Sequence, residues 1–154
     1  MELPARLECR ILGKEWETQL IKLFELIKTT KDYLTFHPHP FTEEEAKKLV
    51  EYQGKDLYYI LVSDEIILGY GMLRGWDEGY SIPSLGIYIH PLYRRKGLGK
   101  LMMLFLQSAA QLRGSTQVRL KVYSDNYAAI KLYQKMDYKF EGEQDGQMIG
   151  FLQL

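Results

Sequence analysis

The chain has 154 residues, with 20 Lys plus Arg against 20 Asp plus Glu, so it carries no formal net charge at neutral pH. That length suits one domain spanning 1–154 with its own core, and the charge balance disfavours a general nucleic-acid or acidic-membrane binder. A single cysteine, Cys9, excludes an internal disulfide framework, fits a reducing compartment and reads as a strand core residue.

The opening Met1 to Arg6 lacks the apolar core of a signal peptide. Apolar runs such as Tyr58 to Val62 and Leu101 to Leu106 fall far short of the ~20 residues a membrane helix needs. The expectation is a soluble, cytoplasmic protein with no membrane partner.

Weak alternation predicts a first strand over Arg6 to Leu12, and a helix from about Glu15 to Thr30 buries Leu20, Leu23, Phe24 and Ile27. Phe36-His-Pro-His-Pro40 is an extended connector, because a residue before proline is pushed out of the helical region. It reads as plain loop structure or as a loop packed over a substrate pocket, with one histidine, His37 as the candidate, contacting the substrate. His37 and His39 share metal-ligand spacing, but no carboxylate or cysteine is placed beside them, and no metal is assigned. Thr42 with Glu45 forms a capping box that opens a second helix.

Leu57 to Ser63 and Ile66 to Arg74 read as a hairpin, with Gly69 and Gly71 marking a bulge or close packing. The loop Gly75 to Ser84 offers Trp76, Glu78 and Tyr80 as a wall for a polar, cationic or sugar-like substrate.

Ile87 and Ile89 then alternate with Gly86, Tyr88 and His90, a strand that Pro91 ends. Leu98, Leu101, Met102, Phe105, Ala109 and Leu112 recur at helical steps, and Gly114 stops that helix. Between strand and helix lies Arg94-Arg95-Lys96-Gly97-Leu98-Gly99-Lys100. Its glycines let a ligand approach the main chain, and free amides at a helix start favour a pyrophosphate or similar polyanion. A Walker loop fails because Leu101 follows Gly99-Lys100, and a dinucleotide fingerprint fails because Met102 occupies its third glycine place.

Beyond the helix, Gln117 to Val122 alternates as a strand, and Ser124 or Asp125 caps a helix starting near Asn126. Tyr138 to Phe140 and Gln147 to Leu154 close the chain as two short strands around the Gln144-Asp-Gly146 turn. The segment Met148 to Leu152 reads as an apolar edge open to a partner, hence a possible homodimer.

Arg94-x-x-Gly97-x-Gly99 resembles the acetyl-CoA signature of the GCN5-related N-acetyltransferases, the GNAT family. Asn126-x-x-Ala129-x-x-Leu132-Tyr133, followed by an aromatic strand, resembles a second segment of that family at its usual distance; Asp137 stands where the family usually has glycine. The resemblance implies an α/β (α+β mixed) fold: a mixed, mostly antiparallel sheet of six to seven strands, about four flanking helices and a splayed parallel pair at the acetyl-CoA site.

It also implies direct transfer of acetyl from acetyl-CoA to a primary amine. The backbone of Ile87 and Ile89 would hold the pantetheine arm, the 95–100 amides the pyrophosphate, and Asn126 the arm. A strand amide near Tyr88 or Ile89 suits the developing oxyanion. Tyr133 suits protonation of the departing thiolate. His90 and Tyr88 are candidates to handle the amine proton or contact the substrate, beside Asp77 and Glu78. Aromatic loops and zero net charge lean toward a small polar acceptor such as an amino sugar. A protein N-terminus or lysine, or a CoA-binding module without turnover, are the alternatives.

Overall fold

A computed structural model describes residues 6–154; Met1 to Ala5, most of the stretch read above for a signal sequence, lie outside the described residues. In chain order come β1 (Glu8–Ile11), α1 (Glu17–Thr30), α2 (Glu43–Val50), β2 (Leu57–Ser63), β3 (Ile66–Arg74) and β4 (Ser84–Ile89). Then follow α3 (Leu98–Leu112), β5 (Gln117–Tyr123), α4 (Tyr127–Lys135), β6 (Lys139–Gln144) and β7 (Gln147–Gln153). The strands form one sheet in the order β1-β2-β3-β4-β5-β7-β6, antiparallel throughout except for the parallel neighbours β4 and β5.

Alternation along the strands builds two cores. On one face Leu20, Leu23, Phe24 and Ile27 of α1 pack with Ile60, Tyr70, Met72 and Tyr88. On the other, Met102, Met103 and Leu106 of α3 pack with Leu61, Leu73, Leu85, Val118 and Leu120. Fully burying one such side chain contributes about 1.5–3 kcal/mol. Among the described residues, no helix is long and apolar enough to cross a membrane.

Local chemistry sets the element ends. Thr42 Oγ1 accepts the Glu45 N–H at 3.0 Å and opens α2. The cap of α4 is Asn126 itself, whose Oδ1 accepts the Ala129 N–H, and not Ser124 or Asp125. Asp137 takes the left-handed backbone (φ 69°) that closes α4, and the Tyr138 N–H reaches back to the Tyr133 carbonyl at 3.0 Å.

Two expectations are corrected. The buried stripe of α3 is Met102, Met103, Leu106 and Ala110, about one residue round from the expected one; Leu101 and Phe105 stay partly exposed and Leu112 is 92% exposed. The helix is apolar on several faces, so period alone does not choose which one meets the sheet. Nor is Met148 to Leu152 an edge: β7 lies between β5 and β6, and the outer strand is the charged β6. That register leaves no apolar β7 edge for a homodimer.

Gly69 and Gly71 serve both anticipated purposes. The β2–β3 register shifts between Leu61 and Val62. A Cβ on Gly71 would lie 2.9 Å from Met102 Sδ and 3.0 Å from Leu106 Cδ1, so glycine lets α3 seat close against β3.

Candidate active site

The site begins where β4 and β5 stop pairing. Their ladder is limited to Ser84 opposite Arg119, with the Arg119 N–H donating to the Pro83 carbonyl at 3.0 Å. Beyond it the strands diverge, and a cleft of about 820 Å³ opens between them.

Strand β4 keeps its other edge fully paired to β3. The His90 N–H donates to the Leu68 carbonyl at 2.8 Å, so antiparallel alternation sends the polar groups of Ile87 and Ile89 the opposite way, toward the cleft. These are the strand amides available to a ligand. By the same alternation the Tyr88 backbone bonds to β3, which leaves Ile89 as the amide suited to an oxyanion.

At the end of β4 the chain turns into the glycine loop. Arg95 (φ 63°) and Gly97 (φ 82°) both take left-handed backbone, and nothing lies within 4 Å of where a Gly97 Cβ would stand. The first helical N–H with a partner here is that of Leu101, which donates to the Gly97 carbonyl. The preceding amides of Leu98, Gly99 and Lys100 therefore point outward at the positive end of the α3 dipole. Arg94, Arg95, Gly97, Leu98, Gly99 and Lys100 all line the cleft, while Lys96 is exposed beside it. Open backbone, free amides and cations together fit a pyrophosphate.

Arg94 does not point into that seat. Its Nε donates to the Ile89 carbonyl at 2.9 Å, its Nη2 donates to Asp32 Oδ2 at 3.0 Å, and its guanidinium sits 5.3 Å over the Tyr88 ring. It ties the loop to β4.

Across the cleft, α4 presents Asn126 and Tyr133. Asn126 uses its oxygen as a cap, leaving its amide nitrogen for a ligand. Burial pushes the Tyr133 phenol up to about 12, so it holds its proton at neutral pH.

The face toward α1 and α2 carries Asp32, Thr35 and Phe36 with Tyr88. The Tyr88 hydroxyl donates to Asp32 Oδ2 at 2.6 Å. Burial opposes ionisation of Asp32, but bonds from Tyr88 and Thr30, with the bond and charge of Arg94, hold its carboxyl below the usual range. Asp32 was not singled out in the sequence; it follows a left-handed Lys31 (φ 62°), and no short motif marks it. Tyr123, the last residue of β5, was likewise missed. It hydrogen-bonds His37 Nε2 at 2.7 Å; neither of the two lines the cleft itself, but Tyr123 directly follows Val122, which does.

Other expected residues are elsewhere. His90 caps the turn after β4, its Nδ1 accepting the Leu92 N–H at 3.2 Å, and it does not line the cleft. Burial, then the Arg94 charge, lower its pKa. Trp76, Glu78 and Tyr80 lie at the start of β4, the end opposite the glycine loop, and none lines the cleft. Asp56 Oδ1 accepts the N–H groups of Gly75, Trp76 and Asp77 at 2.9–3.3 Å and draws this loop onto the α2–β2 connection. The Arg113 guanidinium covers the Trp76 ring at 4.5 Å, and Tyr80 is 63% exposed.

Comparison with known proteins agrees with this geometry. The model of the acetyltransferase (GNAT) family matches residues 22–138. A spermine/spermidine N(1)-acetyltransferase from Bacillus subtilis is 31% identical over 109 residues, covering 66% of this chain and 69% of that protein. The fold matches the PaiA N-acetyltransferase of Thermoplasma acidophilum, solved in complex with coenzyme A, at a TM-score of 0.78 and 21% identity over 97% of this chain and 99% of that one. It also matches a ribosomal-protein alanine N-acetyltransferase from Escherichia coli at 0.71 and 19% identity, over 96% and 94%. With a seven-stranded sheet splayed at β4 and β5 and both motifs facing the cleft, the chain belongs to the acetyltransferase (GNAT) family and is an N-acetyltransferase with acetyl-CoA as its co-substrate.

Proposed function

We propose that this protein acetylates the primary amine of a small, slender, cationic metabolite in the cytoplasm, with a linear polyamine the leading candidate and an amino sugar the second. The observation that carries this reading is the carboxylate of Asp32 on the cleft wall, held ionised by the Tyr88 hydroxyl and the Arg94 guanidinium, which both meet Oδ2 and leave Oδ1 for an ammonium. A cationic acceptor gains most from such a counter-charge where water is partly excluded. The relative named for spermine and spermidine supports the same choice. The aromatic wall that pointed to a sugar does not reach the cleft.

Acetyl-CoA supplies an acetyl group activated as a thioester. The residues of this chain do the rest. Amides 98–100 with Arg95 and Lys100 would seat the pyrophosphate, and the β4 edge at Ile87 and Ile89 with Asn126 would hold the pantetheine arm. The Ile89 N–H is the preplaced donor for an oxyanion. Asp32 holds and orients the incoming ammonium, whose proton leaves to water. As the C–S bond breaks, Tyr133 gives its proton to the thiolate, and the second proton released by the nitrogen restores the phenol through water.

The test is a thiol-release assay with acetyl-CoA and spermidine, 1,4-diaminobutane, glucosamine and a short peptide with a free N-terminus. Spermidine or diaminobutane should show the highest kcat/KM, and Asp32→Asn should lower it at least about 10-fold, the loss expected of a charge-assisted contact. Highest turnover of the peptide, or an Asp32→Asn variant unchanged toward every amine, would overturn the reading.

A further inference from the structure

Residues 32–37 cross the open face between the splayed strands and are fastened on both sides. At one end Asp32 takes bonds from Tyr88 on β4 and Arg94 on the glycine loop. At the other, His37 Nε2 meets the Tyr123 hydroxyl at 2.7 Å at the end of β5, with ring centroids 5.8 Å apart. Phe36, between them, packs on Tyr88 at 5.4 Å and on Phe41 at 6.0 Å. Just beyond, the Pro38 carbonyl accepts from Arg74 Nη1 at 2.7 Å.

The sides of the sheet fix what this segment covers. Val118, Leu120 and Val122 of β5 pack with α3, so the alternating Tyr123 projects to the α1–α2 face, where Tyr88 also lies. The glycine loop is fastened to α3, while the segment roofs the face toward α1 and α2. An acceptor that meets the thioester from that face must pass beneath it.

We infer that the His37–Tyr123 contact is a specificity-determining bar across the acceptor entrance, which admits a slender amine and shuts out an amine carried on a polypeptide chain. The physical reason is steric. A peptide needs a groove open on both sides of the reacting nitrogen, whereas a roof joined to β4 and to β5 leaves an opening closed at both margins. Among the described residues, the His37–Tyr123 bond alone of these fastenings joins the segment to β5, and His37 is exposed there. Cutting it frees one margin without touching the glycine loop. This inference rests on the small-amine reading above.

The experiment compares kcat/KM for spermidine and for a pentapeptide with a free N-terminal amine in the wild type, His37→Ala, Tyr123→Phe and the double variant. The phenylalanine keeps the ring contact and removes only the hydroxyl. The expected result is a peptide-to-spermidine ratio at least about 10-fold higher in each single variant, with the double variant no higher than the larger single effect. The dissociation constant for acetyl-CoA, measured by calorimetry, should stay unchanged. Equal losses toward both amines would assign the pair a purely structural role and overturn the inference. So would a wild type that already acetylates the peptide as well as spermidine.

If the wild type binds acetyl-CoA but acetylates neither probe, the small-amine reading fails, and the bar is judged by a second readout. In a Cys9→Ala background, which removes the protein's own thiol, a bulky maleimide is offered to protein saturated with coenzyme A. Faster capture of the coenzyme thiol in His37→Ala than in the His37 parent supports the bar, and equal rates overturn it.

Discussion

Strand β4 has two edges, and they behave differently. Toward β3 six consecutive residues pair, from Ser84 opposite Arg74 to Ile89 opposite Gly69. Toward β5 a single position pairs, and the amides of Ile87 and Ile89 face open space. A buried backbone group without a partner costs about 1–3 kcal/mol, so an unpaired central edge persists only where solvent or a ligand meets it. The paired edge makes the sheet rigid, and the unpaired edge lines the cleft, where the reading proposed above seats the pantetheine arm.

The sharpest way to break the open side is Gly97→Glu. The substitution forces a side chain into a left-handed position (φ 82°) and puts a carboxylate into the seat proposed for the pyrophosphate. Acetyl-CoA affinity should fall beyond about 100-fold by calorimetry, through lost approach and charge repulsion. Because nothing lies within 4 Å of that site, the far-ultraviolet circular dichroism should keep its shape.

Tyr133→Phe should come next, with kcat down about 100-fold if the phenol is the proton donor and affinity for acetyl-CoA little changed. The sign of its pH dependence follows from its pKa of about 12. Tyr133 stays protonated through neutral and mildly alkaline pH, so any basic limb of the rate below about pH 11 belongs to another group. Between about pH 10 and its own pKa the unfolded chain sheds a proton that the native state keeps, and stability falls as pH rises. Alkaline denaturant titrations of Tyr133→Phe should show a smaller slope.

The paired side gives the smallest functional effect and tests its role as support. Gly71→Val brings new carbons against Met102 and Leu106 and should cost about 1–3 kcal/mol in urea unfolding. The acetyl-CoA dissociation constant should move less than in Gly97→Glu, since α3 is displaced at its middle and not at its first turn.

Period and punctuation carried much of the architecture. The bounds of β2 and β3 agree with the hairpin reading residue for residue, because the alternation there is long and flanked by turn residues. Both glycine-loop and Asn126 motifs were legible because each concentrates its chemistry in a few neighbouring residues. The face of α3 was not, since an all-round apolar helix fits several rotations and the sheet selects one. The loop at Trp76 misled for a related reason: an aromatic beside carboxylates says what it could bind, and only Asp56 and Arg113 decide where it lies.

By itself, then, the sequence determined the order of elements, the basic glycine loop at the start of α3 and the tyrosine across the cleft from it, all properties of contiguous residues. Tertiary structure decided that β7 is interior, that His90 turns away from the cleft, and that Asp32 meets Tyr88 and His37 meets Tyr123 across as many as 86 positions. Those pairings depend on the twist and splay of a sheet whose strands meet far from their neighbours in sequence, which no local pattern encodes.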